Sequence, residues 1–202
     1  EVPVIFHDDT LERITNGTGN IAEINYEELR ALDAGSWLGD SFAGTTIPSL
    51  EEMAEMAIRR GLGVNLEIKP CPGRDKDTAE IALDVLSSIW DDHDRLIISS
   101  FSQIALEVAR DMAHDWARGI LFSQDIPDNW ADIAGYLDAS GVHFNQRGLT
   151  RERVEEAIDQ NLYVLAYTVN DPDTARKLIG WGVDGIFSDA PDNIQENLRV
   201  LH

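Results

Sequence analysis

Short apolar segments and longer amphipathic segments alternate along most of the chain. The clearest apolar segment places Leu62, Val64, Leu66 and Ile68 on every second position, and that period predicts a β-strand. Each predicted strand is followed by a polar loop and a helix, a unit that repeats every roughly 20–35 residues, the size of a βα unit. Six such strands are predicted, at 62–69, 96–100, 119–122, 142–145, 162–169 and 183–187.

Helix boundaries are marked by residues that cap helices. Capping side chains precede five of the predicted helices: Asn25, Ser49, Ser102, Thr150 and Asp171. A glutamate follows Asn25 and Ser49 three residues later, which is the spacing of a capping box. The helices after the strands are predicted at about 77–90, 102–113, 130–137, 150–159, 171–181 and 191–200.

The first 60 residues follow a different pattern. A short apolar strand is predicted over 2–6 and ends at His7, and the stretch 33–47 gathers three glycines around Trp37 and Phe42. We predict that 10–48 is an insertion-like loop and short helix. It would lie within a single domain that covers 1–202, because no linker or low-complexity segment marks a second domain.

Alternating predicted strands and helices indicate an α/β fold with a parallel sheet. An open doubly wound sheet and a (β/α)8 barrel both fit this pattern. No glycine-rich phosphate-binding motif follows a predicted strand, which counts against a nucleotide-binding fold. A barrel collects the ends of its strands into one site. Polar residues do gather after the strands: His7, Glu67, Lys69, Ser99, Ser100, Asn145, Thr168, Asn170 and Asp189.

Charge and cysteine content narrow the classes of partner. Acidic residues outnumber basic ones 37 to 16, for a formal net charge of -21, which repels nucleic acid and anionic membrane surfaces. We therefore expect no nucleic-acid partner and no stable membrane association. The single cysteine, Cys71, excludes an internal disulfide and permits a reducing compartment. The oligomeric state stays open, and a homo-oligomer is among the alternatives.

Glu67 and Lys69 stand two residues apart at the end of the clearest predicted strand. Both side chains therefore project from the same face. A charge at the end of a buried strand is costly unless it is paired or given a ligand. A simple ion pair between Glu67 and Lys69 is one interpretation, and a bound ligand is the other.

Seven stretches of the chain carry a resemblance to a known family. They are VIFHDDTLER at 4–13, DAGSW at 33–37, PSL at 48–50, NLEIKP at 65–70, SSF at 99–101, YTVN at 167–170 and WGVDGIFSD at 181–189. They occur in the family's order and span nearly the whole chain. On these motifs the chain resembles the glycerophosphodiester phosphodiesterases, most closely the bacterial cytosolic members.

The resemblance implies a TIM-type (β/α)8 barrel in a cytoplasmic enzyme. It implies a divalent cation, Mg²⁺ or Ca²⁺, and a small-molecule glycerophosphodiester substrate that is hydrolysed to sn-glycerol 3-phosphate and an alcohol. Glu67 matches a metal-binding carboxylate, Lys69 a catalytic lysine that contacts the phosphate, and His7 a catalytic histidine that protonates the leaving oxygen. The alternative for His7 is a structural hydrogen bond to Asp8 or Asp9.

Three further residues are expected to contact the substrate: Phe101, Asn170 and Trp37. Phe101 and Trp37, like Tyr167, could instead pack in the core. Asn170 could instead cap a helix. The remaining histidines are expected to be surface or packing residues: His93, His114, His143 and His202.

Two family motifs, H-R-G and E-x-D, have no counterpart in the chain, and both would lie upstream of Glu1. We therefore expect the chain to be N-terminally incomplete, without the first βα unit and most of the second strand. Strands at 4–7 and 185–188 would then flank a gap about two strands wide, with His7, Glu67 and Lys69 at one mouth. The rival functions are a related phosphodiesterase acting on lysophospholipids or phosphoinositides, and an incomplete barrel that only binds phosphodiesters.

Overall fold

The computed structural model of the protein describes residues 1–199. Six parallel strands form one sheet, in which each strand pairs with the next one along the chain. The strands are β1 (Val64–Glu67), β2 (Leu96–Ser100), β3 (Ala117–Phe122), β4 (Gly141–Asn145), β5 (Tyr163–Tyr167) and β6 (Gly185–Ile186). All six predicted strands are thus confirmed, with the first and the last two shorter than expected.

Helices connect the strands as the capping residues predict. They are α1 (Tyr26–Arg30), α2 (Leu50–Arg60), α3 (Asp75–Ile89), α4 (Gln103–Met112), α5 (Trp130–Tyr136), α6 (Arg151–Asp159), α7 (Pro172–Trp181) and α8 (Pro191–Arg199). Both predicted capping boxes form, and the three other predicted caps accept a backbone N–H of the first turn. The predicted end of the last helix at Val200, and the expectation for His202, lie outside the described residues.

The order of the strands decides between the two folds that the pattern left open. A doubly wound sheet begins in its middle and reverses direction at a switch point. Here the order runs β1-β2-β3-β4-β5-β6 without a reversal, which is the winding of a barrel. Within residues 1–199, β1 and β6 are the two edges of this sheet.

One face of the sheet is apolar and packs against helices. Ile120 of β3, Val142 of β4 and Val164 of β5 are aligned or adjacent in register, and each is at most 1% exposed. Side chains of α5, α6 and α7 cover them, among them Trp130 and Val154. A second cluster joins α2, α3 and α4 to β1 and β2. Burial of these apolar surfaces is the main stabilising contribution to such a fold.

The opposite face carries a row of small and polar residues. The register aligns Glu67 with Ser99, Ser99 with Gly119, Gly119 with Gly141, and Gly141 with Tyr163. Alternate residues of a strand point to opposite faces, so these five share the face turned away from the outer helices. In a barrel that face is the interior.

The expected strand at 4–7 is not part of the sheet, so that prediction is wrong. Val4 forms an isolated antiparallel bridge with Ser49. The N–H of Ile5 donates to the carbonyl of Pro48, and the N–H of Leu50 donates to the carbonyl of Pro3. The backbone of this segment is thus satisfied by the chain that enters α2, and 4–7 and 185–188 do not flank a gap between strands.

The first 50 residues have a small apolar cluster of their own. Leu11, Leu29 and Ile47 are 2–3% exposed and form its centre, and Val4 and Phe6 pack against it. Val4 and Phe6 therefore serve this cluster, whereas Ile5 between them packs against the cluster that joins α2, α3 and α4 to the sheet. Among the described residues, no helix is both long enough and apolar enough to cross a lipid bilayer.

Candidate active site

Glu67, the last residue of β1, holds a carboxylate oxygen in an unusual environment. Its Oε1 is buried and has no hydrogen-bond partner within the described residues. A buried carboxylate oxygen is costly unless a cation or a hydrogen-bond donor faces it. Within the described residues, Glu67 forms no ion pair with Lys69, which was the alternative interpretation. The Nζ of Lys69 instead lies 3.7 Å from Asp9 Oδ1.

Lys69 links the end of β1 to the segment that contains His7. Its Nζ donates a hydrogen bond of 2.6 Å to the backbone carbonyl of His7. The side chain of Lys69 is about one-third exposed, and an ammonium has three donors, so it can hold this carbonyl and still face solvent. The contact brings His7 to the end of the strand that carries Glu67, as expected.

The His7 side chain is 70% exposed and faces solvent. Its Nδ1 lies 3.1 Å from Asp8 Oδ1, so the hydrogen bond to Asp8 that was the alternative for His7 is formed. This contact uses only one of the two ring nitrogens, and the Nε2 end stays directed away from Asp8. Hydrogen bonds from Arg13 and then from His7 hold the pKa of the Asp8 carboxyl well below its ordinary value. Asp8 is therefore charged and can orient the imidazole.

Arg13 is bound to the segment that carries His7. Its guanidinium binds Asp8 through two hydrogen bonds, of which Nη2 to Oδ1 measures 2.8 Å. The hydrogen bond to Asp8 raises the pKa of Arg13, and the charge of Asp189 adds to this rise. Asp189 follows β6, so the charge of Arg13 faces the loop at this edge of the sheet as well as Asp8.

Asn170 ties the loop after β5 to the loop after β6. Its Nδ2 donates to Asp189 Oδ2 at 3.0 Å, and its Oδ1 accepts from Ser188 Oγ at 3.0 Å and from the N–H of Asp189 at 2.8 Å. The alternative that Asn170 caps α7 is wrong, because the cap is Asp171. The amide of Asn170 instead fixes the shape of the mouth on this side.

Two aromatic side chains, Phe101 and Tyr167, meet at the ends of β2 and β5. Phe101 is 49% exposed and meets Tyr167 edge-on, with 6.1 Å between the ring centroids. The Tyr167 hydroxyl donates to the carbonyl of Phe122 at 2.6 Å. Burial, with a smaller contribution from the charge of Glu67, raises the pKa of Tyr167 to about 12. Phe101 is thus not a core residue, and the pair forms an apolar wall near the carboxylate.

Trp37 is also exposed, at 55%, so its expected alternative of core packing is wrong. Its Nε1 donates to the carbonyl of Ala34 at 3.0 Å. The surrounding loop is organised by Asp33, which accepts from the N–H groups of Gly35 and Gly44 and from Ser36. These hydrogen bonds, the one from Ser36 first, hold the pKa of the Asp33 carboxyl well below its ordinary value. The loop therefore presents the Trp37 ring to solvent from a rigid base.

The site, as far as the structure describes it, provides a metal ion with part of a ligand set. No group of three or more His, Cys, Asp or Glu side chains that could hold a metal ion occurs within residues 1–199. The unpartnered, buried Oε1 of Glu67 is nonetheless an oxygen ligand of the kind that hard cations prefer. Glu67 fits a divalent cation as one ligand of a set.

Several residues near the site were not singled out by their chemistry in the sequence. Tyr167 and Arg13 lie inside two of the motifs, and those motifs were the available signal. Tyr163 has no such signal, because its position over two glycines depends on the register of three strands. His143 was expected to be a surface or packing residue, and it is fully buried.

Comparison with known proteins gives one family. The family model described as the glycerophosphoryl diester phosphodiesterase family matches residues 1–193. A glycerophosphodiester phosphodiesterase of Caldanaerobacter subterraneus subsp. tengcongensis is 30% identical over 200 residues, which cover 97% of this chain and 80% of the relative.

Solved structures give the same result. The chain is similar to an Oleispira antarctica phosphodiesterase in complex with the product sn-glycerol-3-phosphate, with a TM-score of 0.94 and 39% identity over 98% of this chain and 80% of that one. It is also similar to a glycerophosphodiester phosphodiesterase of Agrobacterium tumefaciens, with a TM-score of 0.73 and 27% identity over 96% of this chain and 80% of that one. Sequence and fold thus agree on the family.

Proposed function

Because the chain belongs to the glycerophosphoryl diester phosphodiesterase family, we propose that it hydrolyses glycerophosphodiesters to sn-glycerol 3-phosphate and an alcohol. Its six parallel strands form a curled half-barrel, and its structural neighbours are TIM-barrel enzymes. The single observation that carries the proposal is the similarity, over 98% of the chain, to a phosphodiesterase with sn-glycerol-3-phosphate bound. The side chains at the end of β1 suit that chemistry.

Glu67 is the proposed carboxylate ligand of a divalent cation. Members of this family are generally metal-dependent, and the buried, unpartnered Oε1 supports this role. We propose Mg²⁺ or Ca²⁺, because both prefer oxygen ligands and no cysteine or histidine cluster in residues 1–199 suits zinc. When bound, such a cation would neutralise the charge that builds on the non-bridging phosphate oxygens.

Lys69 is proposed to contact the phosphate. Phosphodiester cleavage increases the negative charge on the non-bridging oxygens, and a nearby ammonium stabilises that charge more in the transition state than in the ground state. Its hydrogen bond to the His7 carbonyl fixes the ammonium at the mouth of the half-barrel. In a chain with a net charge of -21, this fixed cation gives an anionic substrate a local point of attraction.

His7 is proposed to protonate the leaving alcohol oxygen. Asp8 accepts from Nδ1 and holds the ring in one orientation, so a proton on Nε2 can be donated to the substrate. The exposure of the imidazole leaves room for the head group of the diester. The same role requires only that the ring be reprotonated by solvent after each turnover.

The wider site supplies contacts for the glycerol and the head group. Phe101 is proposed to pack against apolar parts of the substrate, with Trp37 as a second aromatic contact from the 10–48 segment, which we interpret as an insertion-like unit. Asn170 is proposed to contact the substrate from the loop after β5, beside the Asp189 that it holds. We further propose a cytoplasmic location and leave a homo-oligomer open.

The proposal is tested by an assay of product release. Glycerophosphocholine and glycerophosphoethanolamine should both be cleaved to sn-glycerol 3-phosphate, with activity lost in excess chelator and restored by Mg²⁺ or Ca²⁺. Because the acidic chain repels anionic surfaces, vesicles of anionic lipid should be poor substrates. Full activity in chelator would exclude the metal role. A preference for lysophospholipid micelles over the deacylated diesters would favour the rival phosphodiesterase.

The role of His7 is tested by changing the leaving group. His7→Ala should lower kcat by about 10²–10⁴-fold on glycerophosphocholine, the usual size of general-acid catalysis. The loss should shrink on a diester that releases p-nitrophenolate, which leaves without protonation. An equal loss on both substrates would mean that His7 only positions the substrate.

A further inference from the structure

The interior face of the sheet carries buried polar atoms that have no hydrogen-bond partner in the part of the chain that the structure describes. Within residues 1–199, no hydrogen bond reaches Glu67 Oε1, Ser99 Oγ, Tyr163 Oη or either ring nitrogen of His143. Asn65, two residues before Glu67 on the same face, has an unpartnered Oδ1 as well. Ser99 and His143 are fully buried. These side chains come from four of the six strands, so the polar character belongs to the interior as a whole.

Two of these side chains, His143 and Tyr163, converge on Gly119 of β3. A Cβ atom at this glycine would lie 2.4 Å from His143 Nε2 and 2.8 Å from Tyr163 Oη. At Gly141 of β4, a Cβ would lie 2.2 Å from the ring of Tyr163. The Tyr163 ring therefore lies across Gly141, and its hydroxyl reaches Gly119. The next residue of the row is Ser99.

The row thus runs in one direction from Tyr163 to the proposed active site. Gly119 is aligned with Ser99, and Ser99 is aligned with Glu67. Neighbouring strands lie about 4.8 Å apart, which is too far for a direct hydrogen bond between short side chains but suits one bridging water at each step. The two glycines leave the backbone open to close approach, which a side chain would block.

Leaving these groups unpaired would be costly. A buried donor or acceptor without a partner costs about 1–3 kcal/mol, and buried polar groups in native proteins pair with protein atoms or with ordered water. A buried water needs two to four polar partners, and an apolar cavity stays dry. The interior row meets the polar requirement, whereas the outer face of the same strands does not.

We propose that Tyr163, His143 and Ser99 hold a line of ordered water molecules that ends on Glu67 and fixes the orientation of its carboxylate. The three are positioning residues, since they act on the substrate only through Glu67. This inference rests on the proposed role of Glu67 as a metal ligand. Residues that orient a metal ligand typically contribute 10–100-fold to metal affinity or activity.

Two neighbouring serines allow a matched test. Ser99 and Ser100 are both fully buried, but only Ser99 is in the row. Ser100 Oγ instead donates to the carbonyl of Ile68 at 2.6 Å. Ser99→Ala should raise the Mg²⁺ or Ca²⁺ concentration at the midpoint of the metal-induced thermal shift, the metal midpoint, by about 10–100-fold. The value of kcat should fall in parallel. Ser100→Ala should lower the metal-free melting temperature and leave the metal midpoint unchanged.

Tyr163→Phe provides a second variant that keeps the ring and removes only the hydroxyl. It should shift the metal midpoint in the same direction as Ser99→Ala. A crystal structure of the protein at high resolution should show ordered water within hydrogen-bond distance of Ser99 Oγ and Tyr163 Oη. A dry interior would overturn the inference, and so would equal metal midpoints in the wild type, Ser99→Ala and Tyr163→Phe.

The failure of this inference can be told apart from the failure of the proposed function. If Glu67→Gln keeps both the metal-induced thermal shift and the activity, the role of Glu67 is wrong. If Glu67→Gln loses both while Ser99→Ala and Tyr163→Phe lose neither, Glu67 keeps its role and only the positioning line is wrong.

Discussion

The two faces of the sheet have opposite chemistry although they are built from the same strands. On the outer face, Ile120, Val142 and Phe144 are at most 1% exposed and packed by helices. On the inner face, Ser99 and His143 are just as deeply buried but carry polar atoms that no hydrogen bond reaches within residues 1–199. Depth of burial therefore does not distinguish a structural residue from a functional one in this fold, whereas the satisfaction of its polar atoms does.

The period of two residues in a strand places this division between adjacent positions of the sequence. Successive residues point to opposite faces. Glu67 and Ile68 are therefore adjacent in the chain but lie on opposite faces of the sheet, and so do Ser99 and Ser100. A substitution of the inner-face residue, Glu67 or Ser99, should change activity. A substitution of the outer-face residue, Ile68 or Ser100, should change stability. Each prediction below tests this division between the two faces.

The largest effect is expected at the end of β1. Glu67→Gln removes the charge of the proposed metal ligand and should lower kcat/KM by about 10³-fold, the size seen when fixed electrostatic stabilisation is lost. Ile68→Val, one residue later on the outer face, should cost about 1 kcal/mol of unfolding free energy and leave kcat/KM within about twofold of the wild type. Steady-state kinetics and urea unfolding of both variants provide the comparison.

If Ile68→Val impaired catalysis as much as Glu67→Gln, the division between a functional inner face and a structural outer face would be wrong. Loss of stability in Glu67→Gln would argue the same way, because it would give the inner residue a structural role. Gain of stability in Glu67→Gln would support the division, since a buried carboxylate without a cation beside it is costly to the fold.

A smaller effect is expected from His143 as the pH falls. Burial lowers the pKa of His143 from its ordinary 6.5 to about 4, so the folded protein keeps the ring neutral while the unfolded chain binds a proton. The stability from this residue is fully present above pH 6.5 and is lost as the pH falls toward 4. Between pH 7.5 and 4.5 the loss should be about 2–3 kcal/mol, since each unit of pKa shift is about 1.4 kcal/mol.

His143→Gln isolates this contribution from that of the many carboxylates. Urea unfolding of wild type and variant at both pH values gives two differences, and the wild type should lose about 2–3 kcal/mol more than the variant. Identical losses would mean that the interior already accommodates a charged imidazole, and the inner face would then be more polar than proposed.

The smallest effect concerns Gly119 of the interior row and a glycine of α5. Gly119→Ala places a methyl group 2.4 Å from His143 Nε2, and overpacking of this kind typically costs about 1–3 kcal/mol. Gly135 lies in α5 with nothing within 4 Å of its added Cβ, so Gly135→Ala should stabilise the protein by up to about 1 kcal/mol. Thermal unfolding of the two variants measures the contrast, and a neutral Gly119→Ala would contradict the close packing of His143.

Most of the fold followed from local pattern. The strands and the caps at Asn25, Ser49 and Asp171 were predictable, because alternation and capping depend on residues a few positions apart, whereas the choice between a barrel and a doubly wound sheet required the strand order. The segment 2–6 was assigned to the wrong partner. Its run of apolar residues predicts an extended segment, but it does not contain the identity of the segment with which it pairs.

The candidate site was predictable only as far as its motifs reached. His7, Glu67 and Lys69 were singled out, and the hydrogen bond from Lys69 to His7 places them together, while their roles stay predictions. Tyr163 could not be found in this way. Its ring crosses two strands because Gly141 and Gly119 are aligned with it, and that alignment exists only once the register is known.

The unbroken strand order has a consequence for how the chain assembles. Every strand pairs with the one made just before it, so each pairing closes a loop of only roughly 20–30 residues, the length of one βα unit. Assembly can therefore proceed in the direction of synthesis, with each completed strand offering its free edge to the next. The early cost is an exposed parallel edge at every stage, and the helix that follows each strand is what shields the apolar side of that growing edge from other chains.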